Sequence, residues 1–213
     1  LLSFWILFFT NAPLFALKSP EVYHVQKSSN QYAFDLDFGS FEIKQAQAYF
    51  ADQWQSVRLP ASVGKNKQPK PEIDFIGDAL EKTILSSLAG QPSPLVGEGP
   101  QSGGLGPAER RRREGRVRGS FPNIFLASLE PVSARKGIRL AYGEIWLDKE
   151  LAIKVTLMES AWSSDPRHWW IAYPAQYNSR TKRWDDLFVA RDKEFKKKVL
   201  DLVRDAYLER YEK

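Results

Sequence analysis

The sequence has no cysteine, one methionine and only two histidines in 213 residues. Without thiols there is no disulfide framework and no thiolate metal site, which fits a reducing compartment. His24 and His168 stand far apart, so a histidine-based metal cluster is not expected. A phosphate-binding loop is also missing: Gly64-Lys65-Asn66 lacks the upstream glycine and the following Ser or Thr. The carboxylate pairs Asp185-Asp186 and Asp35/Asp37 have no base or nucleophile beside them. An extended Asp185-Asp186 would also point its two carboxylates to opposite faces. The residues therefore argue against an enzyme, and no metal, cofactor or small-molecule substrate is expected. Nor is there an apolar run of the roughly 20 residues that a membrane span needs. Residues 1–17, opening "LLSFWILFF", read as an apolar leader or an upstream extension. The stretch has the length of a signal-peptide core, with Ala16 before a cleavage point, but no basic segment precedes it.

Apolar material is plentiful: 43% of the residues are hydrophobic and 13% aromatic, with seven tryptophans, enough to bury a core. The net charge of +5 is unevenly spread. Residues 91–120 are rich in Gly, Pro, Ser and Arg, and carry six arginines (Arg110 to Arg113, Arg116, Arg118) against Glu98, Glu109 and Glu114. This segment keeps neither a 2- nor a 3.6-residue apolar period, so it reads as a disordered linker or insertion. It also resembles a translated repetitive element of the kind inserted into bacterial genes.

On either side of it the same order of elements recurs. On the left, residues 18–90, "QYAFDLDF" alternates Tyr32, Phe34, Leu36 and Phe38, a half-buried strand. In "FEIKQAQAYF", strict alternation places Phe41 and Ile43 on one face and Ala46 and Ala48 on the other. A helix follows, with Asp78 as N-cap, Glu81 completing a capping box, and Leu80, Ile84, Leu85 and Leu88 as its buried stripe. On the right, residues 121–213, Ile138, Leu140 and Tyr142 line up on one strand. Asp148-Lys149 makes a turn, and Leu151, Ile153, Val155 and Leu157 alternate on the next strand. A long helix starts near Asp192 with Phe195, Val199, Leu202, Val203 and Ala206 at helical spacing. Pro60 and Phe75 are expected to superpose on Pro174 and Phe188. The fold class is α+β: two repeated modules, each a small antiparallel sheet followed by a C-terminal helix.

Two basic loops interleave cations with aromatics. Arg180, Lys182 and Arg183 lie with Tyr177 and Trp184; Lys65, Lys67 and Lys70 follow Arg58. Lys196 and Lys197 add a basic patch on the last helix, where Asp201 and Asp205 repel at i,i+4. Cations suit phosphates, and rings suit stacked bases. The plainer alternative is a solvated hairpin with Trp184 covering the edge of the core. Trp169 and Trp170 are adjacent, so in a strand they face opposite sides.

The right half, "RLAYGEIWLDKELAIKVTLME", "WWIAYPAQYNSRTKRWDDLFVA" and the helix ending "AYLERYE", resembles the SpoVG family, the stage V sporulation protein G or septation-regulator family of bacteria. The left half follows the same outline through "FEIKQAQAYF" and "VRLPASVGKNKQ", with a shorter helix and without the charged turn. The resemblance implies a non-catalytic regulator that binds DNA or RNA, and an internal pseudo-dimer of two modules paired through their sheets, open to further homo-oligomers. A cytoplasmic location goes with that reading. The rival is an exported or envelope-associated interaction module that binds partners through a sheet edge.

Overall fold

The computed structural model describes residues 17, 19–51, 54–63, 69–89, 121–132 and 138–212. The apolar leader up to residue 16, the linker at 91–120, and Lys65 and Lys67 lie outside the described residues. The fold is mixed α+β, with antiparallel sheets and a C-terminal helix.

The first sheet takes β1 (Glu21–Ser28), β2 (Gln31–Asp37), β3 (Phe41–Ala51), β4 (Trp54–Arg58) and β14 (Phe188–Ala190), in the order β1-β2-β3-β14, with β4 also on β3. The second takes β8 (Ile124–Pro131), β9 (Arg139–Leu147), β10 (Leu151–Met158), β11 (Trp170–Ala172) and β7 (Ile73–Phe75), in the order β11-β10-β9-β8, with β7 also on β10. Each sheet thus receives one short strand from the other half of the chain. The entries are bonded alike. The Lys44 amide donates to Leu187 O and the Arg191 amide to Ser40 O, both at 2.9 Å. On the other side the Lys154 amide donates to Glu72 O and the Ile76 amide to Glu150 O, again at 2.9 Å. Two small hairpins complete the strands: β5 (Ala61–Val63) with β6 (Pro69–Pro71), and β12 (Ala175–Asn178) with β13 (Arg183–Asp186).

Hydrophobic alternation builds β10: Leu151, Ile153, Val155 and Leu157 are all buried, while Ala152, Lys154 and Thr156 take the other face. The preceding turn carries positive φ at both Asp148 (47°) and Lys149 (58°), the conformation of a type I′ hairpin turn. Helix α1 (Ala79–Ala89) buries Leu80, Ile84 and Leu88 and packs on β4 and β1. Helix α2 (Lys193–Tyr211) is capped by Asp192, whose carboxylate accepts from the Glu194 amide at 2.6 Å and the Phe195 amide at 3.3 Å. It buries Phe195, Val199, Val203 and Tyr207, one residue per turn, against β8, β10, β11 and β14. Fully burying such a side chain contributes roughly 1.5–3 kcal/mol. Phe41 ties the halves together: its ring stacks with Phe188 of β14 at 5.0 Å and with Phe195 of α2 at 5.6 Å.

Several sequence expectations change. Gln45 adopts φ 62° and the β2–β3 register shifts beside it. This bulge resets the alternation, so Phe41, Ile43, Ala46 and Ala48 are all buried. The Asp35 carboxylate accepts from the freed Gln45 amide at 2.9 Å. Tyr142 does not line up with Leu140: it is half exposed on the outer face, while Ala141, Gly143, Ile145 and Leu147 take the buried face. Glu81 turns its carboxylate to the Val57 amide of β4, 2.7 Å away, and so pins α1 to the sheet. The residue buried opposite Ile153 is Ile73, whereas Phe188 is buried opposite Ile43. Phe75 pairs instead with Leu151 on β10. Finally, Asp201 and Asp205 do not face each other bare, because Arg204 reaches both at 3.0 and 2.9 Å.

Candidate nucleic-acid interface

The β12–β13 hairpin is fixed at its root. Pro174 O accepts from the amides of Leu187 at 2.9 Å and Phe188 at 3.2 Å. Tyr173, just before, stacks on Phe188 at 5.1 Å. Its hydroxyl is buried with no hydrogen-bond partner among the described residues, and burial pushes its pKa up, so it stays neutral. At the tip, Asn178 organises the turn. Its carbonyl oxygen accepts from the amides of Arg180 at 3.0 Å and Thr181 at 3.2 Å, and its amide nitrogen donates to Asp185 at 2.8 Å. Lys182 takes φ 54° to close the loop.

Between root and tip, Tyr177 pairs directly across the ribbon with Trp184. Cross-strand partners share a face, and here the rings meet edge to face, 5.5 Å between centroids. Both are open to solvent, at 50% and 68%. Trp184 therefore does not cover the core edge. Arg180, Lys182 and Arg183 are exposed around this pair, and none is held in an ion pair among the described residues.

The structure brings one more sequence candidate close. Strand β12 runs beside β5, so the β5–β6 hairpin, with exposed Lys70 on β6, stands next to the Tyr177–Trp184 ribbon. Lys196 and Lys197 belong to a separate element, the solvent side of α2. Lys197 is already paired with Asp201 at 2.8 Å, and this pairing lowers the Asp201 carboxyl pKa.

Trp169 and Trp170 face opposite ways as expected. Trp169 is buried, edge-on to Tyr207 at 5.5 Å, with its indole N–H on Ser164 O at 3.2 Å; Trp170 is 45% exposed. The sequence left Trp184 between the cationic loop and the edge of the core. Its signal was its place opposite Tyr177 once the Asn178 turn fixes the register. The Asp165 carboxyl, hydrogen-bonded by the Arg167 guanidinium and amide, is held down to about 2. Among the described residues no group of three His, Asp or Glu could hold a metal ion, and no helix is long and apolar enough to cross a membrane.

Fold and site together define an α+β protein with a solvent-facing hairpin that combines cations and aromatic rings. No protein-family model matches the chain, and no curated protein or solved structure matches it either.

Proposed function

We propose that the chain is a non-catalytic, SpoVG-type regulatory protein of the cytoplasm that binds DNA or RNA, built as an internal pseudo-dimer of two modules. One observation carries the binding: Tyr177 and Trp184 are exposed on one face of a ribbon whose loop supplies Arg180, Lys182 and Arg183. Guanidinium and ammonium groups neutralise phosphates and release counterions. An exposed ring offers a stacking face to a base whatever its sequence. Lys70 on the neighbouring hairpin extends the cationic track. Lys65 and Lys67 belong to the same loop in the sequence, and Lys196 and Lys197 give a second basic surface.

The test uses the full chain with the six linker arginines changed to Gln, because they could produce a salt dependence of their own. Gel-shift titrations at several salt concentrations give the slope of log affinity against log salt. Changing Arg180, Lys182 and Arg183 to Ala should reduce that slope by about two to three units. Trp184→Ala should leave the slope alone but weaken single-strand binding by roughly 1–3 kcal/mol. A linker-neutralised chain that binds neither DNA nor RNA at low salt would remove the reading.

Support for the pseudo-dimer comes from the matched hydrogen bonds of β7 and β14. A fragment from Phe121 to Lys213 lacks β7 and leaves β14 without β3. Two such fragments can complete each other by laying β14 of one on β10 of the other. We expect the fragment to sediment as a dimer; a folded monomer would sink the pseudo-dimer.

A further inference from the structure

The outer face of the second sheet is aromatic and half exposed. Strand register sets it out in rows. One row holds Phe125, Trp146, Ala152 and Asp74; the next Ser128, Glu144 and Lys154; the third Glu130, Tyr142, Thr156 and Ala172. Trp170 extends the face beyond Ala172. Phe125 and Tyr142 are 41% and 50% exposed, and Lys149 lies over the Phe125 ring at 5.4 Å. Isolated exposed apolar residues need no explanation, but four aromatic rings gathered on one sheet face, Phe125, Tyr142, Trp146 and Trp170, do.

Two features narrow the occupant. The face is charge-balanced, with Lys149, Lys154 and Arg139 against Asp74, Glu130 and Glu144, so a polyanion finds little net attraction there. Its two central strands are also complementary to one another. On β9 the outer residues are Trp146, Glu144 and Tyr142; directly opposite on β10 stand Ala152, Lys154 and Thr156. A two-fold axis along the strands, between β9 and β10, lays β9 of one molecule over β10 of another. Trp146 then meets Ala152, Tyr142 meets Thr156, and Glu144 meets Lys154, each contact made twice. An interface of this symmetry must be self-complementary, and aligned sheets pack face to face about 10 Å apart.

The geometry points to a second copy of this chain as the partner of this face, forming a homodimer through the outer sides of two β8–β11 sheets. The proposal goes beyond the nucleic-acid reading and does not depend on it. Four strands at about 4.8 Å spacing and some seven residues of length give a footprint of roughly 400 Å². That is at the small end for protein interfaces, so the dimer should be reversible and concentration-dependent.

Sedimentation velocity of the full chain over a range of concentrations reads the association directly. The wild-type chain should shift from monomer to dimer as concentration rises. Glu144→Lys and Lys154→Glu should each weaken dimerisation about tenfold or more, by setting like charges across the interface twice. The double exchange should return it close to wild type. Tyr142→Ala, a half-exposed position whose loss should spare the fold, should also weaken the dimer, and thermal unfolding of every variant separates lost association from lost folding. A wild-type chain that stays monomeric throughout overturns the proposal. So does a dimer indifferent to these substitutions, or a folded double exchange that fails to recover. Protection of Trp146 and Trp170 fluorescence by a single-stranded oligonucleotide, without any dimer, would assign the face to nucleic acid instead and equally overturn it.

Discussion

The two sheets have the same order of strands but fill it differently. In the first, the outer row nearest the β2–β3 turn reads Glu21, Asp37, Glu42, Val189. The matching row of the second reads Phe125, Trp146, Ala152, Asp74. One is acidic, the other mostly apolar. Inside, the volumes are also exchanged: Phe34 lies opposite Ala46 in the first sheet, and Gly143 opposite Val155 in the second. A strand plan fixes which positions face each other. It leaves open which partner is large, and what the outer face carries, provided each pair fills its space.

The acidic row has a cost. Glu42 is only 3% exposed, and a buried carboxylate needs compensation. Arg191, just after β14, pairs with Glu42 and reaches Asp37 at 3.0 Å, while the Tyr23 hydroxyl donates to Glu42. At the matching position after β7 stands Ile76, partly exposed and with no such task. The contrast can be broken by substitution. Arg191→Ala leaves the buried carboxylate without its cation and should cost about 3 kcal/mol in a urea titration, near the lower end for a broken buried pair because the guanidinium is partly exposed. Ile76→Ala should cost under about 1 kcal/mol, as a surface-side change does. Equal losses at the two sites would mean that the acidic row is solvated and the contrast is one of composition only.

That pair also marks what could be read from the chain beforehand. Alternation in "ELAIKVTLME" and the Asp148-Lys149 turn were legible, because period-2 patterning and turn chemistry are local. The helical stripe from Phe195 and the opposite facing of Trp169 and Trp170 were legible for the same reason. The exchange of β7 and β14 was not. Each is three residues long, too short for a period, and its partner lies far away in sequence. The Gln45 bulge was hidden because a single residue at positive φ, paid for by a hydrogen bond to Asp35, reverses the facing of all that follows. Glu81 looked like a capping residue because the motif is local, whereas its actual partner, Val57, comes from a neighbouring strand. At the candidate interface, the aromatic and cationic residues were evident. That Trp184 faces water with Tyr177 depended on a register fixed by Asn178.

The inner faces supply the smaller and sharper test. At Gly143 an added Cβ would lie 3.3 Å from Leu129 Cδ1, 3.3 Å from Ser128 O and 3.4 Å from Val155 Cγ2. The side chains can yield by a few tenths of an ångström, but Ser128 O is backbone of β8 and moves only with the strand. Overpacking of this kind costs about 1–3 kcal/mol. Part is offset, because Gly→Ala also restricts the unfolded chain, by roughly 0.4–1 kcal/mol. Gly143→Ala should therefore lower stability by about 1 kcal/mol in the same urea titration. Val155→Ala alone opens space and should also destabilise. Together the two changes move the second sheet towards the first, where the larger residue sits on β2 and alanine on β3. The new methyl then enters room that Val155 vacated, so the double variant should lose less than the sum of the singles, by about 0.5 kcal/mol or more. Strict additivity would show that Ser128 O alone sets the limit at Gly143, and that the volumes of the two strands are not exchanged as a pair.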